Sequence, residues 1–126
     1  MGAIDGPVLT SPSAFGTAGG MAALVSGVVL FDESANCLFL ELEGTQYPVV
    51  WPAGTRWQED PPAVVLSNGQ NVEPGSSVSG GGGSLDRDHV EELSGSAVAD
   101  AAERCAGPTG EIAFFNLDSE VDVIPT

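Results

Sequence analysis

Seventeen glycines and nine prolines punctuate a chain of 126 residues, so most of its elements must be short and joined by tight turns. Apolar runs of four to eight residues between such turns are the pattern of strands. Residues 1–20, with Gly2, Gly6, Pro7, Pro12, Gly16, Gly19 and Gly20, hold no period and read as a flexible leader. Residues 21–126 then form one domain, since a chain of this length holds a single core.

From Ala22 the pattern changes. Leu24, Val25 and Val28 to Phe31 form a β-branched and aromatic strand, closed by the turn residues Asp32 to Asn36. Cys37 to Glu43 alternates, with Leu38, Leu40 and Leu42 on one face and Cys37, Phe39, Glu41 and Glu43 on the other. Glu43-Gly44-Thr45-Gln46 turns the chain into a return strand, Tyr47 to Trp51, in which Tyr47 and Trp51 share the core face. Pro52, Gly54 and Pro61-Pro62 stop that strand, so Pro52 to Pro62 is expected as an exposed loop.

Ala63 to Leu66 followed by Asn68-Gly69 predicts a hairpin with a type I′ turn, which needs positive φ at both central residues. After the turn Glu73-Pro74-Gly75-Ser76, a short strand at Ser77 to Ser79 is expected to dissolve into Gly80 to Gly83, a loop of high backbone freedom. Ser84 is the expected N-cap of a helix whose apolar stripe carries Val90, Leu93, Ala97, Ala101 and Cys105. Gly95 weakens its middle and allows two shorter helices; Gly107-Pro108 ends it. Ile112 to Leu117 and Val121 to Ile124 read as final strands.

The expectation is therefore a mainly β fold, a small five- or six-stranded OB-like barrel with one inserted α-helix, because closure protects short strands from leaving unpaired edges. The stretch Val49 to Trp57, VVWPAGTRW, with the Asn68-Gly69 turn and the Gly80 to Gly83 run, resembles an uncharacterised family of actinobacterial small β-barrel domains found on exported proteins. The resemblance covers residues 24 to 117; it implies the barrel and assigns no activity.

Eighteen acidic residues face only three basic ones, Arg56, Arg87 and Arg104, for a net charge of -15. Such a chain repels nucleic acid and anionic lipid, and its acidity reads as solubility in a high-salt or extracellular setting or, alternatively, as attraction to cations or a basic partner. The longest apolar stretch, Met21 to Phe31, is too short to span a bilayer. No Lys or Arg precedes Arg56, so the basic region of a secretory signal is missing; the expectation is a mature exported domain or, alternatively, a cytoplasmic one.

Cys37 and Cys105 allow one intramolecular pairing, and a bridge would imply an exported location; two buried free thiols are the other reading. His89 stands without a nucleophile motif and reads as a surface residue. One His and two distant Cys provide no zinc spacing, and the carboxylates at Asp86, Asp88, Glu91, Glu92 and at Asp118, Glu120, Asp122 lack a calcium-loop pattern, so neither metal nor cofactor is expected. Trp57 follows the Pro52 to Arg56 turn and could stack on a ligand. The candidate site is a barrel rim made of Arg56, Trp57, Gly81 and Gly82 that binds a protein or an uncharged ligand without catalysis. The alternatives are a self-assembling envelope or coat component and a carboxylate-based hydrolase.

Overall fold

The computed structural model describes residues 3–11, 23–106, 110–115 and 121–124. Its first elements correct the expected leader: β1 (Ala3–Asp5) and β2 (Val8–Thr10) form a hairpin turned at Gly6, where φ is 57°. Val8 and Leu9 are buried in two different core clusters, so the hairpin is anchored from both faces of β2. Residues 12–20 lie outside the described residues.

The alternating segments form as expected. β3 (Ala23–Asp32) turns through Asp32 to Asn36 into β4 (Cys37–Leu42), with the Asp32 carboxylate accepting from the Ser34 hydroxyl and the Ala35 amide. β4 turns into β5 (Thr45–Trp51) through Glu43 and Gly44, both at positive φ (53° and 82°). That is the type I′ signature, and it occurs here rather than at Asn68-Gly69. There a five-residue connection, Leu66 to Gln70, joins β7 (Pro62–Val65) to β8 (Asn71–Val72), closed by the Leu66 amide donating to the Gln70 carbonyl at 2.8 Å, with positive φ only at Gly69. Its closure is helped by Asn68, whose side-chain oxygen accepts from the Gln70 amide.

The expected exposed loop from Pro52 to Pro62 is corrected as well. Residues 56–59 form β6 (Arg56–Glu59), which completes a three-stranded sheet with β7 and β8, and Pro52 and Thr55 are buried. The largest correction concerns the glycine run. β9 (Ser77–Leu85) passes straight through Gly80 to Gly83, paired to β3 on one side and to β10 (Ile112–Phe115) on the other. One of them, Gly82, makes a close backbone approach: a Cβ there would lie 2.0 Å from the Phe114 carbonyl oxygen.

β10 also pairs in parallel with β5, and β4 pairs with β5, so β5, β10, β9, β3 and β4 close into a ring. β3 changes partner near Gly27, running beside β9 up to Val28 and beside β4 from Val28 onward. A Cβ at Gly27 would stand 2.8 Å from the Glu41 carbonyl oxygen, so the corner requires glycine. β11 (Asp122–Ile124) adds to β9 at Ser77 to Ser79. Eleven strands are thus described where five or six were expected, the additional ones being short segments next to prolines and glycines.

Inside the ring Val29, Leu40, Trp51, Val78 and Phe115 form one core, which Val64 of β7, Val72 of β8 and Leu66 between them join. Outside it lie α1 (Arg87–Ser94) and α2 (Ser96–Cys105), two helices in place of one, divided at Gly95 with φ of 93°. Their Val90, Val98, Ala99 and Ala102 cover Val50 and Phe114. Strands β5 and β10 are therefore buried on both faces, which is why VVW and IAFF read as continuous apolar runs. The N-cap is Asp86, accepting from the His89 amide, whereas the expected cap, Ser84, lies within β9.

Cys37, opening β4, and Cys105, ending α2, are bridged with a Cα separation of 5.9 Å. The stop at Gly107-Pro108 lies outside the described residues. Among the described residues no helix is long and apolar enough to cross a membrane.

Candidate functional site

Arg56 and Trp57 project from β6, but Trp57 is not a free aromatic. Its ring centroid lies 4.8 Å from that of Phe31, its Cδ1 atom would be 2.7 Å from a Cβ at Gly6, and its amide donates to Asp5 Oδ2 at 3.0 Å. The indole thus wedges the first hairpin against the ring, leaving it half-buried. Arg56 is exposed. Gly81 and Gly82 lie within β9, opposite Leu24 and Ala23 of β3, so they belong to a ladder rather than a mobile loop. The two halves of the expected rim therefore occupy different sheets.

The structure offers another surface. Leu30 and Phe39 are cross-strand partners of β3 and β4, and their neighbours Val29, Leu38 and Leu40 point into the core. At period two, Leu30 and Phe39 therefore point away from it, and both remain partly exposed. They floor an open groove of about 780 Å³, walled by the Asp32-Glu33-Ser34 turn, Gln46 and Pro74. The second wall is held in place by the Glu73 to Ser76 turn, in which the Gly75 amide donates to the Val29 carbonyl at 2.7 Å.

The electrostatics of this groove have one sign. The Ser34 hydroxyl and the Ala35 amide hold the Asp32 carboxyl below its usual pKa, so it stays ionised, and Glu33 lies beside it. No Lys, Arg or His lines the groove. It offers apolar area with an anionic edge. A smaller opening of about 160 Å³ lies at the other end of the ring, between Tyr47, Leu40 and Leu42. Leu42, placed on the core face by its alternation, is 47% exposed there because the strand ends at the mouth.

Phe39 is the residue that sequence reasoning passed over. Alternation put it opposite Leu38 and Leu40, but its apolar partner Leu30 depends on register, which no local signal supplied.

On the helices the acidic cluster is organised around one cation. The Arg87 guanidinium contacts Glu91 at 2.9 Å, Asp100, and Glu103 at 3.8 Å, joining α1 to α2 and raising its own pKa further. No group of three or more metal-ligating side chains occurs among the described residues, and Asp118 and Glu120 lie outside them. His89 is exposed, with Nδ1 2.6 Å from Asp86 Oδ1. The hydrogen bond that the His89 ring donates to Asp86, followed by the charge of that carboxylate, raises the pKa of His89, and the His89 amide and ring lower that of Asp86.

The pair therefore has a defined pH window. The His89 contribution is complete below its unfolded pKa and is lost as pH rises through its raised folded value; that of Asp86 is lost as pH falls through its depressed one. Asp86→Asn, which keeps the cap but removes the charge, is expected to return the His89 pKa toward its ordinary value with helix content unchanged. Proton NMR titration of the single histidine checks this; an unmoved pKa would remove Asp86 as its cause.

No protein-family model matches the chain, and no curated protein or solved structure matches it. The groove over Leu30 and Phe39 therefore carries the functional reading by itself.

Proposed function

We propose that this chain is a non-enzymatic binding domain of the OB-like barrel type, working outside the cytoplasm, whose groove docks a protein segment bearing apolar and basic side chains. The observation that carries this reading is the groove itself, where the Leu30 and Phe39 pair is edged by ionised Asp32 and by Glu33. Apolar burial would supply affinity, and the anionic edge would choose a basic partner and speed its approach.

Strand connectivity supports the OB-like assignment. β3, β4 and β5 follow in series, β5 lies parallel to β10, and β10 returns through β9 to β3. In OB folds the second and third strands and the adjoining loops carry ligand. Their counterparts here are β4, β5 and the Asp32 to Asn36 turn, and the groove draws Phe39, Gln46 and Ser34 from them. The extracytoplasmic location rests on the Cys37–Cys105 bridge, since such bridges persist in oxidising compartments. The resemblance to barrel domains on exported proteins agrees with that location.

A cationic amphipathic peptide titrated into isotopically labelled protein is expected to shift the backbone signals of Leu30, Phe39 and Gln46. Phe39→Gln should weaken binding by about tenfold, equivalent to about 1.4 kcal/mol. Glu33→Gln should weaken it less and reduce its salt dependence, and Glu92→Gln on the helical face should leave it unchanged. If Phe39→Gln and Glu92→Gln behave alike, charge alone drives the association and the groove is not the site.

A further inference from the structure

A second cavity, separate from the groove, lies where the first hairpin, the start of β4 and the end of α2 meet against the Cys37–Cys105 bridge. Its volume is about 170 Å³. Leu9 and Leu38, 6% and 3% exposed, form its floor with Pro48 and Ala101, and the exposed side chains of Arg104 and Asn36 stand at its mouth.

Charge makes this cavity unusual. The chain carries eighteen acidic residues, yet among the described residues no carboxylate lines this wall. Arg87 is occupied by Glu91 and Asp100, whereas Arg104 has no carboxylate within ion-pair distance among the described residues. Arg56 is also clear of ion pairs but lines neither this cavity nor the groove. Among the described residues Arg104 donates from Nη1 to the Ala35 carbonyl at 2.8 Å, which holds the guanidinium beside the mouth. A guanidinium has five N–H donors, so a fork remains for a carboxylate.

We propose that this cavity binds a small monocarboxylate with a compact apolar body, an acid of about the size of benzoate. An apolar cavity of about 150 Å³ accommodates benzene, so the volume matches such a body. The apolar part would lie against Leu9, Leu38, Pro48 and Ala101, with the carboxylate on Arg104 and the Asn36 amide as a second donor. Burial of the ring and the charge-assisted pair act together, so neither a neutral isostere nor a bare anion satisfies the site.

The test is a titration of the intact, oxidised protein with benzoate at constant ionic strength, followed by the methyl signals of Leu9, Leu38 and Ala101. These signals are expected to shift saturably at concentrations below about 20 mM. Benzamide, the same shape without the charge, and Arg104→Gln are each expected to weaken binding by at least about tenfold. Arg104→Lys should recover part of the loss, and Ala101→Leu, which fills the cavity, should abolish binding. Arg104 is exposed, so its variants remain informative if Ala101→Leu does not fold. The absence of a saturable shift overturns the proposal, as does equal binding of benzoate by wild type and Arg104→Gln, or of benzamide and benzoate by wild type.

Discussion

Gly82→Ala is expected to destabilise the protein by about 3 kcal/mol or more, at the upper end of what a single added methyl group does. The new Cβ would lie 2.0 Å from the Phe114 carbonyl oxygen and 2.9 Å from Val25 Cγ2. A side chain could rotate away, but a carbonyl oxygen in a ladder moves only with its strand. Separating β9 from β10 would strain the ring, because β9 is also held by β3 and β10 by β5. Single domains hold only about 5–15 kcal/mol in total, so the loss would be a large fraction of the whole. Ser79→Ala, earlier in the same strand, is expected to change stability by no more than about 0.5 kcal/mol. Urea midpoints for the two variants check the contrast. A wild-type midpoint for Gly82→Ala would mean that the glycine run is a loop after all.

Reducing the Cys37–Cys105 bridge, or replacing both residues by alanine, is expected to have the largest effect on stability. The bridge spans 68 residues of sequence, and closing a loop of that length in the unfolded chain corresponds to about 4 kcal/mol. The folded state loses something as well. The bridge ties the last turn of α2 to the start of β4, and the neighbouring tie between them is the hydrogen bond from Arg104 to Ala35. With a net charge of -15 to hold together, the reduced chain should also become more sensitive to low salt. Thiol labelling after denaturation without reductant should find no free cysteine, and the melting temperature should fall sharply on reduction. Unchanged stability after reduction would show that the ring and helices suffice without the bridge.

Much of this fold was legible in local chemistry. Turns at Asp32 to Asn36, Glu43-Gly44 and Glu73 to Ser76 lie where Gly, Pro, Asn and Asp demanded them, and the alternation of Leu38 and Leu40 correctly identified a core face. The pairing of the two cysteines was readable because only one intramolecular partner existed for each. Gly95 marked the division between the helices, since a residue without Cβ readily adopts the φ of 93° found there.

The candidate sites were far less legible. Trp57 looked free because prolines surround it, yet Phe31 and Gly6, distant in sequence, enclose one side of it. Leu30 and Phe39 each looked like an ordinary strand residue, and only the register of β3 on β4 makes them a pair. That Arg104 has no carboxylate within ion-pair distance among the described residues is likewise a property of where other elements end, not of its neighbours in α2.

What the amino-acid order determined by itself was punctuation, composition and charge: short strands, a helical segment interrupted at Gly95, one possible bridge, and a surface hostile to anions. Tertiary structure alone decided the meaning of Gly80 to Gly83. A glycine run has no local preference strong enough to distinguish loop from strand, so its conformation is selected by what stands beside it. At Gly82 a Cβ would meet the Phe114 carbonyl oxygen and the Val25 side chain, so that position between β3 and β10 requires glycine. The residues that spell flexibility in isolation therefore run as one continuous strand of the ring.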